Sequence, residues 1–313
     1  MALLSPGVYA RLPTEQSNPR TRDIDRRSTR EIVRLIAAED ARVPLAVAKV
    51  EREIALGVDA LAAALSRGGS ALFLGAGTSG RLAVLEAAEC PPTFNTTSKQ
   101  IRAVIAGGRR SVFRAKEGAE DEPGLGLKAV AKVRRGDVVV GVAASGVTPF
   151  VRAALAEAMR RGAVAILVTS NGMPHGVRAD IVIAPMVGPE VVTGSTRLKA
   201  GTAAKLVLNA LTTGAMIKIG KVYDHWMVDL KPTSRKLRLR GERIVADLGR
   251  VEPSRARALF RASGGSVKTA VMMARRGLSA DEAREALVRA GGALRRALER
   301  PVIKEKHAKR SGA

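Results

Sequence analysis

The sequence predicts an α/β fold: a five-stranded parallel sheet between two layers of helices, with helices before it and a small three-helix module after it. Three observations point there. From residue 70, short apolar runs alternate with helix-length amphipathic segments, the pattern of strand–helix–strand units with parallel strands. Those runs are apolar nearly throughout rather than at every second residue, as strands covered on both faces are. Of the 313 residues 46% are hydrophobic but only 3% aromatic. Ala, Val, Leu and Gly must therefore do the packing, which suits close helix-on-sheet contact better than an aromatic-rich β-sandwich.

The elements follow in order. Residues 1–69 read as an N-terminal arm and helices. Ser28-Thr29-Arg30-Glu31 is an S-x-x-E capping box that opens a helix to about Asp40. Pro44 starts a second, longer helix, with Val47, Val50, Ile54, Val58, Leu61 and Leu65 as one apolar stripe and Gly68-Gly69 as its stop. Residues 70–245 form the main domain. Strands are expected near Ala71–Leu74, Ile101–Ala106, Asp137–Ala143, Val164–Thr169 and Ile181–Ala184. Helices are expected at Arg81–Glu89, Ser111–Glu120 and Phe150–Arg161, and a long one at Thr196–Ile217. Residues 246–300 read as three short helices, Ser254–Ala262, Ser266–Arg276 and Asp281–Arg289, with a second capping box at Ser279–Glu282. Packing or dimer support is the expected role of this module. Residues 301–313 form a basic tail containing "KEKHAKR".

Charge and rare residues exclude several function classes. Lys and Arg number 53 against 29 Asp and Glu, a net charge of +24, which attracts phosphorylated ligands and other polyanions. The cations are spread over polar helix faces (Arg255, Arg257, Arg261; Arg284, Arg289), and no aromatics interleave with them to stack on bases. Nucleic acid is therefore not expected as the partner. Cys90 is the only cysteine, which excludes an internal disulfide or a cysteine–metal cluster. His175, His225 and His307 lie far apart, so no metal is expected. "MALLSPGVYARLP" does not read as a signal peptide, and no run approaches the roughly 18 apolar residues of a membrane helix. The expected address is cytoplasmic, away from any membrane.

The chemistry concentrates in "LFLGAGTSGR". Gly75, Gly77 and Gly80 satisfy G-x-G-x-x-G, a weak signal for a dinucleotide when it stands alone. That fingerprint asks for an acid at the end of the second strand, yet no Asp or Glu occurs between Glu89 and Glu117. Arg109 and Arg110 keep NADP as the poorer alternative. A second loop, "GVAASGV" at 141–147, echoes the first, with Ser145-Gly146 matching Ser79-Gly80. Two such loops at the carboxyl ends of parallel strands would face one crevice. Their hydroxyls (Thr78, Ser79, Ser145, Thr148) and N–H groups suit a compact phosphomonoester. Ordinary helix caps would explain each serine singly, but the matching pair less well.

Two sets of carboxylates stand in awkward places. Glu89 precedes Cys90-Pro91-Pro92, where the helix is expected to end, and the negative end of the helix dipole disfavours its ionisation. Burial would raise its pKa further, as a general acid needs. "EGAEDE", Glu117 to Glu122, groups four acids at the end of another expected helix; a solvated acidic turn is the plainer explanation. Cys90 reads as a small buried residue, since no histidine stands near it in sequence.

Several words together resemble one family: "GAGTSGRLAVLEAAECPPTF", "EGAED", "VVVGVAASGVTP", "GPEVVTGSTRLKAGTAAKLVLNALTTGAMIKIGKV" and the opening "TEQSNPRTRDIDRRSTREIVRLIAAEDARVPLAV" are similar to the N-acetylmuramic acid 6-phosphate etherases, which carry a sugar isomerase (SIS) domain. The similarity runs from about Thr14 to Leu298. It implies a homodimeric lyase without cofactor that turns N-acetylmuramic acid 6-phosphate and water into N-acetylglucosamine 6-phosphate and D-lactate, in peptidoglycan recycling. The family's two important carboxylates map onto Glu89 and Glu120. Gly77, Thr78, Ser79 and Gly80, with Ser145, Gly146 and Thr148, would hold phosphate and sugar, and Glu190, Ser195 and Lys199 would complete the pocket wall. The chain departs from the family at Val147, where an arginine is usual, and at Ala37. A non-catalytic sugar-phosphate regulator is the alternative, since SIS folds also serve that role.

Overall fold

The computed structural model describes residues 9–172 and 176–299. The 301–313 tail, His175 and His307 lie outside them. The described residues pack into two compact units, one of residues 9–91 with 96–218, the other of 92–95 with 219–299.

In the first unit, α1 (Thr29–Asp40) begins at the expected capping box, with both halves made between Ser28 and Glu31. The single helix expected from Pro44 is instead two, α2 (Val43–Ala48) and α3 (Glu51–Ser66). Val50 leaves helical geometry between them (φ −113°, ψ 26°), and its N–H turns back to the Val47 carbonyl. The apolar stripe crosses this break because the turn holds its register, so periodicity alone does not reveal it.

Strands β1 (Ala71–Gly75), β2 (Ile101–Ile105), β3 (Val138–Val142), β4 (Val164–Val168) and β5 (Ile181–Ile183) form one sheet in the order β2-β1-β3-β4-β5, all neighbours parallel. Ala71 pairs with Ile101 on one side and Val138 on the other. The chain thus steps outward from β1 to β2 and then crosses to β3, which puts the topological switch point between β1 and β3.

Helices cover both faces. On one, α5 (Pro123–Ala129) and α6 (Pro149–Arg160) enclose a core in which Phe150, Val151 and Leu155 join Leu72, Leu74 and Val139. On the other, α3 lies against α7 (Lys199–Lys218), whose Leu211 comes within 2.6 Å of where a Cβ on Gly57 would stand. α4 (Gly77–Phe94) follows β1 directly.

Two expectations are corrected here. α4 does not stop before Cys90-Pro91-Pro92 but runs through both prolines to Phe94. Proline's φ is already helical; two adjacent prolines remove two N–H donors without leaving helical geometry. The expected Ser111–Glu120 helix is replaced by two 3₁₀ turns, Arg109–Val112 and Ala119–Asp121. Gly118 just before the second turn has φ +74°, which ends any helix arriving from Ser111.

The second unit holds a short hairpin, β6 (Val222–Tyr223) and β7 (Trp226–Met227), and helices α8 (Arg235–Gly249), α9 (Pro253–Ala262), α10 (Val267–Arg276), α11 (Ala280–Arg289) and α12 (Leu294–Glu299). Ile244, Phe260, Met272, Leu287 and Leu294 meet in its core. Lys268 is buried there between Asp229 (2.9 Å) and the Gly292 carbonyl (2.6 Å).

Candidate active site

A cleft of about 420 Å³ opens at the carboxyl ends of β1 and β3, at the switch point. Its floor is the pair of matching loops. After β1 the chain turns into α4 within two residues, and the three glycines make that turn possible. A Cβ on Gly80 would lie 2.5 Å from Ile105 Cγ1 and 2.6 Å from the Gly75 carbonyl oxygen, while Gly77 has φ +52°. Gly77, Thr78 and Ser79 line the cleft, at the end of a helix whose first N–H groups have no carbonyl of their own to bond.

The second loop presents Ser145, Val147 and Thr148 from the opposite side, just before α6. Its turn is closed by Gly146 N–H to the Ala143 carbonyl (2.9 Å), and the Val147 N–H donates to Ser145 Oγ (3.3 Å). Gly80 and Gly146 are buried behind the wall and serve the turns rather than the lining. Val147, the departure from the family word, therefore stands on the cleft wall itself.

Glu120 and Asp121 line the same cleft from the 119–121 turn. The acids of "EGAEDE" sit ahead of α5, whose N-cap is Glu122, and not at the end of a helix. The dipole expected to disfavour their charge is therefore absent. Glu120 is itself exposed at the cleft; partial loss of water there pushes its carboxyl above the usual range, and the neighbouring charges of Asp121 and Glu117 add to the shift.

Two further groups enter from the N-terminal arm, Tyr9 and Glu15. Neither stood out as a functional residue in the sequence. Glu15 falls in the quoted opening word "TEQSN", but no periodicity ties it to the sheet 60 residues later.

Glu190 and Lys199 are brought together, though behind the cleft rather than on it. Both are fully buried. The Glu190 carboxylate accepts from the N–H groups of Lys199 and Ala200 (3.0 Å each) and so caps α7. Lys199 Nζ donates to Glu39 (2.6 Å), which also takes Arg20 and Asn18. Ser195 stands in the loop before α7, its N–H on the Val192 carbonyl, while Gly194 and Thr196 reach the cleft.

Glu89 lies apart. It is exposed on α4, five residues short of the helix end, so the expected burial and terminal position are not met. The buried acid is Glu86, one turn earlier, hydrogen-bonded to Thr212 of α7. Burial raises the Glu86 carboxyl above its ordinary value. Ala83, Glu86 and Cys90 form one buried stripe of α4, and helical spacing applied to that stretch would have found it. Burial also drives the Cys90 thiol up to about 12, which rules out a resting thiolate.

No group of three His, Cys, Asp or Glu among the described residues could hold a metal ion. Among them, too, no helix is long and apolar enough to cross a membrane.

Comparison with known proteins places this arrangement. A family model for the glucokinase regulatory protein N-terminal SIS domain matches residues 53–159. Phosphoheptose isomerase from Neisseria gonorrhoeae aligns at TM-score 0.45 and 20% identity over 59% of this chain and 99% of its own. The N-acetylmuramic acid 6-phosphate etherase of Salinibacter ruber is 46% identical over 92% of this chain and 94% of its own. That of Serratia proteamaculans is 47% identical over 92% and 98%. With such likeness spanning both units, the chain belongs to the N-acetylmuramic acid 6-phosphate etherase family.

Proposed function

We infer that this chain is a carbon–oxygen lyase that cleaves the D-lactyl ether of N-acetylmuramic acid 6-phosphate, giving N-acetylglucosamine 6-phosphate and D-lactate. The observation that carries the site assignment is the cleft itself, where two N–H- and hydroxyl-bearing loops face Glu120.

The phosphate sits at the loops Gly77–Ser79 and Ser145–Thr148, on helix N-terminal N–H groups and hydroxyls. With the ring open, C1 is an aldehyde and the C2 proton is acidic. Glu120 takes that proton, the C3–O bond breaks, and an acid protonates the departing lactyl oxygen. Water then adds at C3 of the unsaturated aldehyde, and Glu120 returns its proton to C2. Glu89 is the acid, and afterwards the base for water. Each such transfer is worth about 10²–10⁴-fold.

Glu89 lies twelve residues from Gly77, about 18 Å along α4, and outside the cleft of its own chain. Its role therefore calls for a homodimer in which one copy's α4 approaches the other's cleft. The enzyme would act in the cytoplasm, in recovery of cell-wall amino sugars. The match to a regulatory protein's SIS model favours, as a second reading, a sugar-phosphate sensor.

Incubation with N-acetylmuramic acid 6-phosphate and measurement of D-lactate decides between the two. In heavy-oxygen water the label should enter sugar C3 and not the lactate. Absence of lactate overturns the lyase, and label in the lactate overturns the elimination.

A further inference from the structure

The reaction just described needs an acid–base step before any elimination, because the sugar arrives as a closed hemiacetal. Opening it removes the proton from the anomeric hydroxyl O1 and delivers one to the ring oxygen O5. Both oxygens are bonded to C1, so they ask for a donor and an acceptor held side by side. In the mechanism proposed above Glu120 acts at C2, although ring opening is the other role open to it.

The N-terminal arm supplies such a pair. Tyr9 and Glu15 both line the cleft, Tyr9 partly exposed at its mouth, so that the phenol and the carboxylate face the same space. Glu15 is not on a loose tail. Its neighbour Thr14 is fully buried and joined to Asn171 twice, N–H to Oδ1 at 3.3 Å and Nδ2 to Oγ1 at 3.1 Å. Asn171 in turn donates to the Ala144 carbonyl of the second hydroxyl loop (3.0 Å). The Thr14 hydroxyl also reaches Glu15 Oε1 (3.3 Å). The arm is thus pinned to the loop expected to hold phosphate, and Glu15 is fixed relative to it.

We propose that Glu15 and Tyr9 open the sugar ring, Glu15 accepting the O1 proton while Tyr9 donates to O5. The C1–O5 bond breaks as the C1=O bond forms, and the proton on Glu15 then passes to the Tyr9 phenolate within the cleft. The pair ends as it began, with one proton moved from O1 to O5. Partial burial and the nearby carboxylates of Glu15 and Glu120 raise the Tyr9 phenol above its ordinary value, so it holds its proton at neutral pH.

This role rests on the lyase reading, and the product allows the two to be tested apart. N-acetylglucosamine 6-phosphate has no ether to eliminate but still opens and closes its ring. Exchange between its α and β anomers, followed by magnetisation transfer in NMR, isolates the ring step. The intact protein should accelerate that exchange, and Glu15→Gln should lose about 10²-fold or more of the acceleration with its melting temperature unchanged. Tyr9→Phe, which leaves the Thr14–Asn171 anchor in place, should show the same loss. Wild-type exchange rates in either variant, or no acceleration by a protein that releases lactate, would overturn the proposal and leave the lyase standing. No lactate from the intact protein would overturn the lyase instead. If Glu15→Gln fails to fold, Tyr9→Phe alone decides.

Discussion

Lys199 Nζ lies 2.6 Å from Glu39 Oε2, and the two side chains are 0% and 4% exposed. This pair ties α1 to the start of α7, behind the cleft wall. Arg20 and Asn18 complete the Glu39 carboxylate, so the arm is joined to the same point. Glu39→Ala would leave a buried ammonium without its partner, and removing one member of such a pair costs about 3–5 kcal/mol. Urea denaturation should read that loss. The double variant Glu39→Ala with Lys199→Met should recover part of it, since the buried ammonium is gone, while the buried Glu190 loses the cation beside it and keeps only its backbone N–H partners.

The same carboxylate sets an acid limit. The Arg20 hydrogen bond foremost, with Lys199 and Asn18, holds Glu39 at about 2 against an ordinary 4.5. A folded-state pKa below the unfolded one stabilises the protein above the unfolded value, and that contribution fades as pH falls from about 4.5 through about 2. Its full size is on the order of 3 kcal/mol. Glu86 and Glu190 are raised by burial and act with the opposite sign, gaining stability as they protonate above the ordinary value. Stability should therefore hold or rise slightly on acidification to about pH 5 and fall below 4.5. Glu39→Gln should flatten that acid limb.

The sheet was legible because its strands are buried on both faces and so carry a continuous apolar signal. The two matching loops were legible because glycine and serine spacing at a strand end has few other uses. What stayed hidden depends on contacts distant in sequence. Thr14 meets Asn171 and Glu39 meets Lys199 across about 160 positions, and no local pattern encodes such meetings. Glu89 drew notice through the prolines after it, a boundary signal that the helix overrides, while Glu86 carried the burial attributed to it. The inward hydrogen bonds of Glu190 were hidden for a similar reason: a polar motif before a helix does not show in sequence which backbone groups its side chains meet.

Glu120 should govern the pH profile of lactate release. In its proposed role as base for the C2 proton it must be ionised, and desolvation, then Asp121 and Glu117, raise its pKa. The acid limb of kcat/KM should thus lie above the ordinary carboxylate value, with activity rising as pH increases through it. Asp121→Asn removes one of the repelling charges and should move the limb to lower pH. Glu120→Gln should lower kcat by about 10²–10⁴-fold with little change in melting temperature, because its side chain is bound into no buried network comparable to that of Glu39.

Val147 offers a gain rather than a loss. It stands on the cleft wall beside Ser145 and Thr148, at the position where the resemblance drawn from the sequence leads one to expect an arginine. The backbone there is held by the Val147 N–H on Ser145 Oγ, a bond the substitution leaves intact. The side chain is only half-buried, so an arginine can enter without displacing core atoms and can extend toward a phosphate held by the two loops. A partly solvated ion pair of this kind contributes about 0.2–1 kcal/mol, which corresponds to a KM lower by up to about fivefold in Val147→Arg. Since the phosphate is bound equally in ground state and transition state, kcat should stay near its wild-type value. The gain should shrink as ionic strength rises. Steady-state kinetics with N-acetylmuramic acid 6-phosphate at two salt concentrations checks all three expectations. An unchanged KM at low salt would mean that the phosphate is held beyond the reach of residue 147, at the Gly77–Ser79 end of the cleft alone.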